Sequence, residues 1–272
     1  MKNYLNLVRE ELTTIKYIRS KFPDGQQGIE ILSIIPIEDC TVISRLNNFS
    51  DLEVIICAVK ALRNIGCKNV NLLCPYLIGA RSDRKFSIGG INYISQVIAP
   101  ILNSLSLDSI SVVDIHSNVP EACINNLWSI SNREFIKWVI SQIDNFVIVS
   151  PDEGAKKKVY SLAKEIEYNN EIVTCSKNRD IPTGKIIETV VPKEDFGGKN
   201  CLIIDDICDG GATFNEITKV LKQKNVGKLY LAITHGIFSK GIENLPDFET
   251  IFVTNSYQDF VENSKLRVYK VI

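Results

Sequence analysis

Two adjacent carboxylates, Asp205 and Asp206, close an uninterrupted apolar run, Cys201-Leu-Ile-Ile204, and the chain then passes through Asp209, Gly210, Gly211, Ala212 and Thr213 into a helical pattern. The chemistry open to such a segment is recognition of a phosphorylated sugar. A strand-to-helix junction presents free backbone N–H groups and the positive end of a helix dipole, and residues this small let a phosphate come close to the chain. The two acids would face sugar hydroxyls. Neighbouring carboxylates at a strand's carboxyl end repel each other and call for a metal, a cation or hydroxyl donors. A turn with an acidic helix cap uses the same residue types, and the segment alone leaves that alternative open.

Other residues could join this chemistry. Ala80-Arg-Ser-Asp-Arg-Lys85 holds three cations after an apolar run at 70–74; it is either solvated surface charge or a polyphosphate clamp in which Arg81 and Arg84 bind bidentately. His116 ends a run at 110–115, two residues after Asp114, and Asp152 occupies the corresponding place after a run at 146–150. A satisfied structural histidine is the competing reading. Converging on a triphosphate, His116 and Asp152 would make a Mg²⁺ site completed by phosphate oxygens and water, although spacing does not show that they converge. Lys177 and Arg179 lie in a polar stretch, 176–185, that contains Pro182 and Gly184 and is expected to be a mobile loop. Such a loop suits a developing negative charge, or simply solubility.

The elements that must position these groups show in the hydrophobic pattern. Strand-like runs at 29–36, 70–74, 110–115, 146–150, 172–175, 201–204, 229–234 and 250–254 alternate with helical segments, among them 52–65, 91–105, 133–143 and 215–224. The alternation predicts an α/β fold with mostly parallel sheets flanked by helices. A polar boundary at 125–132 divides the chain into expected domains 1–130 and 131–272, with the last residues returning to pack on the first. A ligand cleft between the halves, faced by the carboxyl ends of the strands, is the expected arrangement.

Composition narrows the ligand. The 272 residues are 45% hydrophobic and 23% charged with a net charge of −1, so nothing attracts nucleic acid or a membrane globally, and an anionic ligand must be held by local cations. No apolar run approaches the roughly 20 residues of a membrane span. Charges near the start replace the apolar core of a signal peptide. The eight cysteines are scattered among apolar neighbours without metal-ligand spacing and are expected to be reduced, which points to a cytoplasmic protein acting on small molecules.

Taken in order, these segments resemble one family, the ribose-phosphate pyrophosphokinases, also called phosphoribosyl pyrophosphate synthetases. Phe22-Pro-Asp-Gly-Gln26 is similar to the family's F-x-D-G-E, Ala80 to Lys85 to A-R-Q-D-R-K, Asp114-Ile-His116 to D-L-H, and Val149-Ser-Pro-Asp152 to V-S-P-D. Lys177-x-Arg179 is similar to the catalytic K-x-R, Asp205 to Thr213 to D-D-x-x-D-T-G-G-T, and Thr234 to Ser239 to T-H-G-L-F-S. The resemblance covers most of the chain. It implies two similar phosphoribosyltransferase-type domains in a homo-oligomer, with ATP, Mg²⁺ and ribose 5-phosphate meeting between them. It further implies that Phe22 and Asp24, from a neighbouring subunit, bind ATP together with Gln26, Arg81, Ser82, Asp83, Arg84 and His116. Asp205 and Asp206 would hold the ribose hydroxyls, and Asp209, Gly210, Gly211, Ala212 and Thr213 the 5-phosphate. His116 and Asp152 would serve Mg²⁺, and Lys177 and Arg179 the transferring diphosphate.

The chain departs from the family pattern at Gln26 (Glu in the family), Ser82 (Gln), Gly210 (Thr or Ser) and Ala212 (Gly). Gly210 removes a hydroxyl donor and is expected to leave room in the loop. Three alternatives stay open: the same transfer to a larger acceptor such as ADP-ribose, an ATP-independent phosphoribosyltransferase, and a non-catalytic regulatory homologue.

Overall fold

A computed structural model describes residues 3–32, 38–179 and 186–272 of the chain. Two compact units result, one of residues 1–130 with Ile272 and one of residues 131–271.

The first unit runs β1 (Asn3–Asn6), β2 (Tyr17–Lys21), β3 (Gln27–Ile31), β4 (Asp39–Ile43), α1 (Phe49–Asn64), β5 (Asn69–Cys74), α2 (Ala99–Ser104), β6 (Ser109–Val113), α3 (Val119–Cys123) and β7 (Leu127–Ile130). Five strands form a parallel sheet in the order β1-β4-β5-β6-β7, and β2 and β3 pair as a separate antiparallel hairpin. Helix α1 starts at a reciprocal cap, in which Asn48 accepts from the Asp51 amide (3.0 Å) and Asp51 from the Asn48 amide (3.3 Å). Its buried Leu52, Ile55, Val59 and Leu62 follow the three-to-four-residue spacing that faces a helix to a sheet. Before α2 the turns widen into a π-helix at Ile94–Ile98, because Pro100 supplies no N–H and its ring crowds the carbonyl four residues back.

The second unit contains α4 (Arg133–Ile140), β8 (Phe146–Ser150), α5 (Glu153–Glu165), β9 (Ile172–Thr174), β10 (Ser176–Arg179), β11 (Ile186–Val190), β12 (Asn200–Cys208), α6 (Ala212–Leu221), β13 (Leu229–Gly236), β14 (Thr250–Thr254) and β15 (Leu266–Tyr269). Its six-stranded sheet is parallel throughout, in the order β15-β14-β13-β12-β8-β9. Strand β12 explains why its sequence is apolar without alternation. Cys201 and Ile203 pack into one core with Ile217 and Leu221, while Leu202 and Ile204 pack into a second with Phe135 and Leu162 on the opposite face.

Several expectations shift. The strand expected to stop at Ile204 continues to Cys208, so both acids belong to it, with Asp205 opposite Ile233 of β13. The expected loop 176–185 begins as a strand, β10, paired antiparallel with β11; residues 180–185 lie outside the described residues. The boundary 125–132 contains edge strand β7 rather than only a polar turn. Of the run 29–36, residues 29–31 lie in β3, which starts earlier at Gln27, and residues 33–36 lie outside the described residues.

Candidate functional site

In the second unit the strand order reverses between β8 and β12: β9 follows β8 to one side, and β13 to β15 extend the sheet beyond β12 on the other. Ligands of open α/β sheets bind outside the carboxyl ends of the strands at such a switch point. Here those ends deliver Asp152 from β8 and Asp205, Asp206 and Asp209 from β12.

Asp206 is buried, at 5% exposure, and Lys158 of α5 reaches it with Nζ 3.4 Å from Oδ2. Asp205 keeps part of its surface in water, yet packing around its carboxyl pushes its pKa well above the usual carboxylate range. After this desolvation the next causes are the Asp206 charge, a hydrogen bond with that side chain, and the charge of Asp152. Three carboxylates therefore share one electrostatic environment. Asp152 caps α5, accepting from the Ala155 amide at 2.9 Å through Oδ1.

The loop between β12 and α6 has the backbone of a phosphate cradle. Gly211 is the N-cap of α6 with φ of +78°, and a β-carbon there would stand 2.8 Å from Leu245 Cδ2, so this position needs glycine for both conformation and space. The amides of Phe214 and Asn215 bond to the Gly211 carbonyl (3.1 and 3.0 Å), while the two amides before them, at the positive end of the helix dipole, precede the first intrahelical bond. Behind the loop, Asn244 Nδ2 donates to the Gly210 carbonyl (2.7 Å) and the Ser239 hydroxyl donates to Asp209 Oδ1. The room expected at Gly210 is bounded by Lys240: the position of its missing β-carbon lies 3.4 Å from Lys240 Cδ and 3.5 Å from Cε, ordinary contact distances. Next door, His235 is a structural residue, 3% exposed with Nδ1 2.8 Å from Ser256 Oγ.

In the first unit, Phe22, Asp24 and Gln26 occupy the tip of the β2–β3 hairpin. The Phe22 amide donates to the Gln26 carbonyl (2.9 Å), Asp24 Oδ1 accepts from the Gln26 amide (3.1 Å), and all three residues are exposed. Arg81, Ser82, Asp83 and Arg84 lie in the turn after β5. The turn is pinned by the Ser82 amide on the Gly79 carbonyl (2.7 Å) and by Asn92 Nδ2 on the Asp83 carbonyl (2.6 Å). Arg81 and Arg84 are exposed, and the Arg84 guanidinium stacks 5.3 Å from the Phe86 ring centre. Past β6, buried Asp114 turns the chain through φ of +47°, leaving His116 exposed beyond the strand end.

Lys177 and Arg179 are on β10, opposite Thr189 and Ile186 of β11, with a register shift between Asn178 and Arg179. A cavity of about 340 Å³ bounded by Asn145, Phe146, Tyr168, Glu171 and Lys199 opens at the amino ends of β8 and β12, the wrong edge of the sheet for this chemistry.

The model of the phosphoribosyl transferase domain matches residues 124–265, which include the whole β8–β12 switch point. The chain belongs to the phosphoribosyl transferase family. Within it, the chain is similar along nearly its full length to ribose-phosphate pyrophosphokinases. It is 26% identical to that of Thermoplasma volcanium over 97% of this chain and 92% of the relative, and 28% identical to that of Mycoplasmopsis pulmonis over 92% and 79%. The crystal structure of phosphoribosylpyrophosphate synthetase from Mycobacterium smegmatis superposes with a TM-score of 0.84 at 19% identity, covering 99% of this chain and 95% of that one. That likeness is one of fold, and it bears out the α/β architecture of two phosphoribosyltransferase-type domains.

For a member of the phosphoribosyl transferase family, the acid pair and the small-residue loop are the parts legible in sequence. Lys158, Lys240 and Asn244 were not. Lys158 belongs to a run of three lysines on α5, Lys156 to Lys158, that looks like a solvated face, and Lys240 and Asn244 reach the loop from beyond β13. Among the described residues no three or more His, Cys, Asp or Glu side chains form a metal cage. The donor set nevertheless fits Mg²⁺, which is held by one or two protein groups and completed by phosphate oxygens and water, and crowded carboxylates favour a cation nearby.

Proposed function

We propose that the chain transfers the β,γ-diphosphate of ATP to the anomeric hydroxyl of ribose 5-phosphate, giving phosphoribosyl pyrophosphate and AMP. The observation that carries the reading is the pairing of Asp205 and Asp206 with the Gly210–Thr213 loop at the switch point, in a chain whose relatives are named ribose-phosphate pyrophosphokinases. The anomeric oxygen bonds to the β-phosphorus, the bond from that phosphorus to the α–β bridging oxygen breaks, AMP leaves with that oxygen, and the hydroxyl proton is released.

The acids orient the ribose hydroxyls, and Asp209, Gly210, Gly211, Ala212 and Thr213 hold the 5-phosphate. Arg81, Ser82, Asp83, Arg84 and His116 take the nucleotide. Lys177 and Arg179 stabilise charge on the transferring group, a reaction that gains chiefly from positioning and electrostatics. Asp152 and His116 would hold Mg²⁺, which supplies neutralisation of the polyphosphate charge. The exposed hairpin tip carrying Phe22, Asp24 and Gln26 suits donation to the nucleotide of a second copy, and so a homo-oligomer. Eight cysteines, none of them in a disulfide, suit a cytoplasmic setting.

The loss of a hydroxyl at Gly210 favours a second reading, in which the acceptor is a phosphodiester such as ADP-ribose. Release of AMP from Mg-ATP, measured with ribose 5-phosphate, with ADP-ribose and with neither, tests the proposal. AMP appearing only with ribose 5-phosphate is the expected result. AMP only with ADP-ribose selects the second reading, and base transfer without ATP or no release with either acceptor removes both.

A further inference from the structure

Lys240 lies in contact distance of the place that a side chain at Gly210 would start from. Around the point where a β-carbon of residue 210 would sit, Lys240 places Cδ at 3.4 Å, Cε at 3.5 Å and Cγ at 3.7 Å. Three consecutive methylenes thus lie along the face of the loop, and the ammonium is one bond beyond Cε. A single β-carbon at position 210 would just touch this stem. A branched one would displace it.

The segment carrying Lys240 is held to the loop independently of the lysine. Asn244 Nδ2 donates to the Gly210 carbonyl at 2.7 Å, the Ser239 hydroxyl donates to Asp209, and Asn215 Nδ2 of α6 donates to the Asn244 carbonyl at 2.7 Å. The base of the segment is fixed by Gln258 Nε2 on the carbonyls of Gly236 (3.4 Å) and Ile237 (3.3 Å). Lys240 is exposed and has no ion-pair or hydrogen-bond partner among the described residues. A cation whose stem is laid against a loop of small residues, beside the amino end of a ten-residue helix, is placed to meet an anion in that loop.

We infer that Lys240 is a ligand of the acceptor's 5-phosphate and sets the loop's preference for a doubly charged phosphate monoester, its ammonium replacing the hydroxyl donor absent at Gly210. The inference rests on the reading of Gly210–Thr213 as the phosphate loop. It also changes what the glycine means: the opening at position 210 admits a protein cation, not a bulkier acceptor.

The test is calorimetric titration of the full-length chain with ribose 5-phosphate and with unphosphorylated ribose, alongside AMP-release kinetics, for the wild type, Lys240→Met, Lys240→Arg, Gly210→Thr and the Gly210→Thr, Lys240→Met double variant. Lys240→Met is expected to weaken ribose 5-phosphate binding about tenfold, the loss of one charge-assisted contact, and to raise its KM while kcat and the KM for ATP stay within about twofold. Ribose binding should not change, and Lys240→Arg should retain most of the affinity. In the Gly210→Thr background the same lysine substitution should cost less, because the threonine has already moved the stem.

Equal binding of ribose 5-phosphate by the wild type and Lys240→Met overturns the role of Lys240 and leaves the proposed reaction standing. A tenfold loss in binding with no AMP release in any variant keeps Lys240 as a phosphate ligand and removes the reaction. Failure of the wild type to bind ribose 5-phosphate removes both.

Discussion

Lys158 Nζ lies 3.4 Å from Asp206 Oδ2, joining the middle of α5 to the buried end of β12. The lysine is about a third exposed and the acid almost fully enclosed, so the pair is asymmetric. Lys158→Met takes away a cation in salt-bridge contact with a buried carboxylate that stands beside a second one. A loss of about 1–2 kcal/mol is expected, discounted from the fully buried case because the lysine is partly in water. Urea unfolding of the two proteins measures it, and an unchanged midpoint would show that the acid is compensated elsewhere.

Asp205 stands against Asp206 in packed surroundings, so the site carries like-charge repulsion when no acceptor is bound. Asp205→Asn should therefore melt higher than the wild type at neutral pH, by about 1 kcal/mol, and lose ribose 5-phosphate affinity. A variant that is both less stable and competent to bind would contradict the assignment of Asp205 to the acceptor's hydroxyls.

The neighbouring glycines of the loop between β12 and α6 should respond differently to a methyl group. At Gly211 alanine meets Leu245 Cδ2 at 2.8 Å in a left-handed conformation, whereas at Gly210 it makes ordinary contact with Lys240. Gly211→Ala is expected to cost about 1–3 kcal/mol and Gly210→Ala less than about 1 kcal/mol. Thermal denaturation of both variants checks the order, which a larger loss at position 210 would reverse.

Asp247 anchors α6 from outside the site. Its pKa is held below 3.8 chiefly by a hydrogen bond from Lys222, with Thr218 also donating to it and burial opposing. An acid with a depressed folded pKa contributes stability that is fully present above its unfolded value and disappears as pH falls through the folded one. The stability gap between the wild type and Asp247→Asn should be widest at neutral pH and close below about pH 3.8. A gap independent of pH would assign its effect to shape instead of charge.

Lys177→Ala should reduce AMP release by at least about a hundredfold while changing ribose 5-phosphate binding much less, since charge developing in the transition state is what the residue is proposed to meet. Normal turnover would take β10 out of the chemistry.

The acids and the small-residue loop were legible because a parallel strand buried on both faces leaves an unbroken apolar run, and that run ended on the chemistry. The strand's true end was not. Asp205 and Asp206 look like loop residues on polarity, yet pairing with β13 carries the strand on to Cys208. Strands β4 and β7 escaped because Asp39-Cys-Thr-Val-Ile43 and Leu127-Trp-Ser-Ile130 are short and mixed in polarity. Lys240 was hidden for a different reason: its role depends on the absence of an atom thirty residues earlier in the chain.

Strand β12 is flanked by β8 on one side and β13 on the other, with a core on each face. Fraying of the sheet begins at its rims, β9 and β15, and leaves four strands in register around the acids. Amide hydrogens of β12 should therefore exchange only through opening of the whole unit. The acids proposed to recognise the sugar are thereby seated in the last part of the unit to come undone, and partial opening at either rim leaves their surroundings intact.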